Sequence, residues 1–265
     1  MTNFFQFLKN IEMDNISKIK IDLEGKTTLI TGGTRGIGRA IADKFADAGA
    51  SVIITGTKKE EIERLNKENT SRQKKYLQVD FTDENSMDAF ICNLPLLGKI
   101  DVLVNNAGIN KIALNEATSL EDYNMLNDVN IKAPYLLCRE VSKMMKKEKF
   151  GRIVNISSIW SVITRPGRSI YTTTKWGLVG LTKALSVELA ADNILVNAVS
   201  PGFTLTELTA ATNTKEEIEQ LSGIIPMRRF ADPQEIANLV LFLSSDLNTY
   251  ITGQNIIIDG GYSNV

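Results

Sequence analysis

Residues 26–50 read KTTLITGGTRGIGRAIADKFADAGA. Residues 26–31 form a β-branched run, which predicts a strand. The run stops at Gly32, and Gly33, Gly36 and Gly38 follow within seven residues. Ile37, Ile41, Ala42 and Phe45 then recur at helical spacing, and Gly49 closes the helix. Strand, glycine turn and helix in this order make a phosphate site. The glycines let the backbone pass close to a pyrophosphate, and the helix N-terminus offers unpaired N–H groups and a positive dipole end. Gly32, Gly36 and Gly38 are spaced G-x3-G-x-G rather than G-x-G-x-x-G. An ordinary tight βα turn has the same composition, so this turn alone leaves both readings open.

The whole chain narrows the choice. Its 265 residues fit one large α/β domain or two small ones. A formal net charge of -1 gives no basic face for nucleic acid. No apolar run approaches a membrane span and no signal pattern opens the chain, so no membrane association is expected. Cys92 and Cys138 are isolated, which points to a reducing compartment and a cytoplasmic location. Histidine is absent. That removes Ser-His-Asp and Cys-His catalysis and every His-bearing metal site, and no metal is expected. Acid–base chemistry must use Tyr, Lys, Asp, Glu or Ser.

Outward from the glycine turn, residues 1–24 read as an N-terminal extension, with Phe4, Phe5, Leu8 and Ile11 on one face of a short helix or a terminal arm. Residues 25–265 read as one domain. Residues 51–55 (SVIIT) predict a second strand. An acid at its end would bond a ribose 2′-OH. Gly56, Thr57, Lys58 and Lys59 stand there instead. Nothing repels a 2′-phosphate, and Thr57, Lys58 and Arg35 can bind one, so NADP(H) is preferred and NAD(H) stays possible. The two lysines also open a charged helix, whose plain reading is a solvated face.

Residues 76–79 predict a third strand, with Asp80 at its end in reach of an adenine amino group. A helix over 83–94 precedes a fourth strand at 100–104, which runs into Asn105-Asn106-Ala107-Gly108. A helix over 123–145 carries Asn130 in an apolar stretch, where its amide must find partners. A fifth strand at 153–156 ends in Ser157-Ser158. Tyr171 and Lys175 are i and i+4 on one helix face. A sixth strand at 196–199 ends in Ser200-Pro201-Gly202, and a seventh spans 255–258. Residues 203–225, polar and without a clear pairing partner, read as a substrate lid. Strands alternating with helices predict an α/β fold, a single-domain doubly wound parallel sheet of about seven strands with helices on both faces. Ligands in such sheets lie at the carboxyl ends of the strands.

Thr31–Gly38 (TGGTRGIG), Asn105–Gly108 (NNAG), Asn130, Ser158, Tyr171-x3-Lys175 and Pro201-Gly202, in this order, resemble the signature set of the short-chain dehydrogenase/reductase family. The resemblance runs from about residue 24 to the C-terminus and implies a Rossmann-type fold. It implies a catalytic tetrad of Asn130, Ser158, Tyr171 and Lys175. Tyr171 would be the acid–base, and Lys175 would lower its pKa and bond the nicotinamide ribose. Ser158, rather than its neighbour Ser157, would hold the substrate oxygen, and Asn130 would hold a water relaying protons from Lys175. Gly32, Thr34, Arg35, Gly36, Ile37 and Gly38 would line the pyrophosphate, with Thr57, Lys58, Asp80 and Phe81 toward the adenosine. Asn106, Ala107 and Gly108 would line the adenosine ribose side. Pro201, Gly202, Thr204 and Thr206 would hold the nicotinamide amide. Trp160, Asn110 and Phe203 are candidate substrate contacts. A homotetramer is the family's common assembly.

Within that family the chain is similar to bacterial 3-oxoacyl-carrier-protein reductases and to small-alcohol and sugar dehydrogenases. Lys149 keeps one basic position expected beside a carrier-protein mouth, but Asp192 stands where another is often found and would repel an acidic carrier. Three classes follow: a reductase of a small ketone or sugar-like substrate, a carrier-protein reductase of fatty-acid synthesis, and a non-catalytic nucleotide-binding regulator. The complete tetrad disfavours the third.

Overall fold

The computed structural model describes residues 21–71 and 73–265. Seven strands form one sheet: β1 (Thr27–Ile30), β2 (Ser51–Gly56), β3 (Lys74–Gln78), β4 (Val102–Asn105), β5 (Gly151–Ile156), β6 (Ile194–Pro201) and β7 (Asn255–Ile258). Every pairing is parallel, in the order β3-β2-β1-β4-β5-β6-β7. Helices fill the crossovers: α1 (Gly36–Asp47), α2 (Lys59–Glu68), α3 (Glu84–Asn93), α4 (Leu120–Asn127), α5 (Ala133–Glu148) and α6 (Ser169–Leu189). After β6 come α7 (Glu207–Thr212), α8 (Lys215–Gly223) and α9 (Pro233–Ser244).

Alternate strand residues feed two cores. Ile30, Ile54 and Val104 point to one face and pack with Ile41 and Phe45 of α1 and Val240 of α9. Leu29, Leu103 and Ile153 point to the other face and pack with Phe90 of α3 and Leu137 and Val141 of α5. Burying each such side chain contributes ~1.5–3 kcal/mol, which is why both faces of a parallel sheet must be covered.

The chain winds from β1 outward to β3, then returns to place β4 on the other flank of β1. The loops after β1 and β4 therefore part in opposite directions, and this switch point opens a crevice at the carboxyl edge.

Three expectations need correction. Leu23 is buried in the first core and its N–H donates to Ala48 O at 2.7 Å, so the domain begins before residue 25. The proposed face of Phe4, Phe5, Leu8 and Ile11 lies outside the described residues. The helix expected over 123–145 is interrupted: Asp128–Lys132, between α4 and α5, widens to i→i+5 hydrogen bonding. Apolar spacing barely changes across one widened turn, so periodicity does not reveal it. Residues 203–225 do have a partner at their start. Thr204 bridges Ala231, Leu205 N–H donates to Ala231 O, and Ala231 N–H donates to Phe203 O.

Candidate active site

The glycine turn is shaped by contact with the loop after β4. Thr31 Oγ1 accepts from the N–H groups of Asn106 and Ala107, both at 3.0 Å. Asn106 Nδ2 donates back to Thr31 O and Gly32 O, both at 2.9 Å. The two loops thus latch across the switch point. Gly32 has φ +63°, and a Cβ there would meet Ala107 Cα at 2.9 Å. A Cβ on Gly38 would meet Asn106 Nδ2 and Gly32 O at 2.4 Å. Only glycine fits either place. Arg35 caps α1 without a side-chain hydrogen bond, and the first turn of α1 holds no acid. Its N–H groups and dipole remain available to an anion.

A cleft of about 340 Å³ opens there. Gly32, Thr34, Arg35, Gly36, Ile37 and Gly38 line one wall, and Thr57, Asp80 and Phe81 line the far end. Asn106, Ala107 and Gly108 close the opposite side. The glycine cradle and uncapped helix fit a dinucleotide pyrophosphate. Lys58 does not line the cleft; it sits at the N-cap of α2. One Asp80 oxygen accepts from Thr82 N–H and Oγ1 at 2.9 and 2.7 Å, which fixes the carboxylate at the rim. An acid cannot enter at position 56 without disturbance, because a Cβ on Gly56 would meet Thr34 Cγ2 at 2.6 Å.

A second cleft of about 530 Å³ shares Ile37, Asn106, Gly108 and Thr206 with the first. Ser158, Tyr171 and Lys175 line it, as do Pro201, Gly202 and Thr204 and the three substrate candidates Trp160, Asn110 and Phe203. The structure separates the two serines. Ser157 Oγ donates to the Lys175 carbonyl at 3.1 Å and ties β5 to α6. Ser158 lines the cleft beside Tyr171, and its Oγ accepts from Trp160 N–H at 3.3 Å.

Lys175 is 3% exposed and its Nζ donates to Ile156 O at 2.9 Å. Burial brings its pKa down to about 8. Tyr171 departs from expectation. Desolvation pushes its phenol above the usual tyrosine value, while the Ser158 hydrogen bond and the Arg168 charge pull the other way. The Arg168 charge is one of the two influences that oppose this rise. Lys175 Nζ lies 5.5 Å from the Tyr171 ring centroid and is directed to a carbonyl instead.

Asn130 is buried within the widened turn. Its Oδ1 accepts from Ile109 N–H, and its Nδ2 donates to Ile109 O, both at 2.9 Å, and to Thr174 Oγ1 at 3.1 Å. The amide therefore clamps the loop after β4 to α6. A Cβ on Gly108 would stand 3.4 Å from Lys175 Nζ and 3.5 Å from Asn130 Oδ1, so both polar atoms face one spot.

A family model described as enoyl-(acyl carrier protein) reductase matches residues 32–263. The chain belongs to the short-chain dehydrogenase/reductase family. A 3-oxoacyl-(acyl-carrier-protein) reductase of Aquifex aeolicus is 44% identical over 248 residues, covering 92% of this chain and 99% of that protein. Its counterpart in Thermotoga maritima is 41% identical over 242 residues, covering 90% and 98%. A gluconate 5-dehydrogenase of Burkholderia cenocepacia, solved with NADP and tartrate, superposes with a TM-score of 0.83 at 30% identity, covering 93% and 98%. This short-chain dehydrogenase/reductase is accordingly an oxidoreductase with the seven-stranded parallel fold of its relatives.

Thr31 ends the expected first strand, and Thr174 stands between Tyr171 and Lys175 with no role legible in the sequence. Their roles are relational: one hydroxyl latches two loops and the other meets a buried amide. Only a threonine directly before the first glycine hinted at the latch.

Proposed function

We propose that this enzyme interconverts a carbonyl and a secondary alcohol on a small ketone or sugar-like substrate, with NADP(H) favoured over NAD(H). The observation that carries this is the meeting of the Tyr171 phenol, the Ser158 hydroxyl and the Lys175 ammonium in a cleft that shares a wall with the phosphate cradle. When bound, the nicotinamide supplies or accepts the hydride. Ser158 donates to the substrate oxygen and places it beside Tyr171. Tyr171 gives its phenolic proton to that oxygen in reduction and takes it back in oxidation. Lys175 holds positive charge below the phenol and bonds the ribose hydroxyls. Asn130 orders the loop facing Lys175 and holds the water through which that lysine exchanges protons. The absence of an acid at Gly56 and Thr57, with Arg35 on the cleft wall, supports NADP(H). The segment 203–225 serves as the lid: α8 buries no residue completely, as a moving element requires. Cytoplasmic location and a homotetramer complete the reading.

The 3-oxoacyl-carrier-protein substrate is the second reading, supported by the relatives at 41–44% identity. One observation weighs against it. Asp192 forms an ion pair with Lys149 and lies 3.9 Å from Lys146, so it neutralises the basic patch an acidic carrier would need. Oxidation of NADPH and of NADH is measured against a ketone panel that includes an acetoacetyl thioester. Small ketones should be reduced with NADPH, better than with NADH and better than the thioester. A panel without turnover on either cofactor refutes the reading.

A further inference from the structure

The substrate cleft is lined by three cations, Arg165, Arg168 and Lys175, and by no carboxylate. Lys175 is directed to the Ile156 carbonyl. The two arginines have no comparable partner. Arg168 is only 8% exposed, yet its Nε has no hydrogen-bond partner. Among the described residues no carboxylate forms an ion pair with Arg165 or Arg168. Both guanidinium groups instead sit against the buried Trp160 ring, at 5.2 and 5.5 Å from its centroid.

That arrangement is costly without a ligand. A buried cation is desolvated, and a like charge beside it adds repulsion. Both act on Arg168, whose pKa falls through burial first and through Arg165 second. The indole face offsets part of this as a cation–π contact but satisfies no N–H. The loop that carries the pair is held in place. Thr164 and Thr172 hydroxyls bond at 2.8 Å, and Gly167 O accepts from Ala113 N–H at 3.2 Å. The backbone that carries the pair is thus held beside Trp160, with Arg168 buried and Arg165 exposed.

We infer that Arg165 and Arg168, braced on Trp160, form an anion subsite, and that the substrate is a carbonyl compound bearing a carboxylate or phosphate group. This rests on the oxidoreductase reading of the same cleft. Two adjacent planar forks match the oxygens of either anion bidentately, which an ammonium cannot do. Arg168 is also near enough to Tyr171 for its charge to act on the phenol.

The test uses matched pairs with NADPH: acetoacetate against ethyl acetoacetate, and a ketohexose against its 6-phosphate. At least one anionic member should exceed its neutral partner in kcat/KM by about 10- to 100-fold, the usual worth of a charge-assisted contact. Which pair shows the preference separates carboxylate from phosphate. The preference should collapse in Arg168→Gln, return in part in Arg168→Lys, and fall in Arg165→Ala, whose site is exposed and tolerant. Equal or reversed preference in both pairs overturns the inference, as does a preference untouched by Arg168→Gln. A second readout needs no turnover: quenching of Trp160 fluorescence in a Trp176→Phe background by inorganic phosphate and by acetate, against chloride. Saturable quenching lost in Arg165→Ala supports the subsite even where no carbonyl is reduced, an outcome that removes the oxidoreductase reading alone. No saturable quenching overturns the subsite.

Discussion

Lys175 is held by one carbonyl and otherwise surrounded by protein, and burial brings its pKa to about 8. The unfolded chain holds this proton up to the ordinary lysine value of ~10.4, so between about pH 8 and that value the unfolded state binds more protons. On this group's account stability rises with pH across that window. Cofactor binding runs the other way, because the ammonium that bonds the ribose hydroxyls is lost above about pH 8. NADPH affinity, followed by fluorescence titration, should therefore weaken between pH 7 and 9.5, and Lys175→Met should flatten the profile. A wild-type profile already flat over that range contradicts the role. The residue scale is also where sequence was least informative. Tyr171 and Lys175 were legible as an i, i+4 pair, but the sign of the Tyr171 shift was not. Burial of the phenol sets that sign, against the opposing pull of Ser158 and of Arg168, which is adjacent because the loop at 164–168 is pinned to α6 and to residue 113.

Among the elements, the glycine turn and α1 act with the loop after β4 as one unit. Gly38→Ala adds a single methyl, but it would be driven into Asn106 Nδ2 and Gly32 O. Backbone cannot yield as a flexible side chain does, and overpacking of this kind costs ~1–3 kcal/mol. We expect Gly38→Ala to lower Tm in calorimetry and to abolish measurable NADPH binding. Unchanged Tm and affinity would mean that the latch does not shape the site. Most elements were legible because β-branched runs ended at glycine, asparagine or serine. Lys74 and Lys75 of β3 were not, since an edge strand tolerates charge and loses its alternation. The widened turn at Asp128–Lys132 was hidden for the opposite reason: the apolar pattern runs through it. The turn mattered, because it carries Asn130 in to Ile109 and Thr174.

At the scale of the whole molecule, the single chain leaves apolar surface uncovered. Tyr250 is 95% exposed, and Trp176, Val187 and Leu247 are also exposed. The last strand, β7, is a sheet edge with Ile257 exposed. Such surface is compatible with the proposed homotetramer, for which closed symmetry is the usual arrangement. Sedimentation velocity at micromolar concentration should show a tetramer, and Tyr250→Asp should shift it toward smaller species; a monomer in the wild type contradicts this. Legibility at this scale was mixed. The parallel sheet of about seven strands followed from alternating elements, whereas the burial of Leu23 did not, because its alternation with Ile19 and Ile21 is too short to separate a packed segment from a terminal arm.

In the proposed reaction Tyr171 moves the proton. Tyr171→Phe keeps the ring and removes only the hydroxyl. Single-turnover oxidation of bound NADPH, with excess ketone, isolates chemistry from product release. The rate should fall ~10²–10⁴-fold or more below wild type, as expected for loss of a general acid, with NADPH affinity changed by less than about threefold. A Tyr171→Phe enzyme within about tenfold of the wild-type single-turnover rate would contradict it.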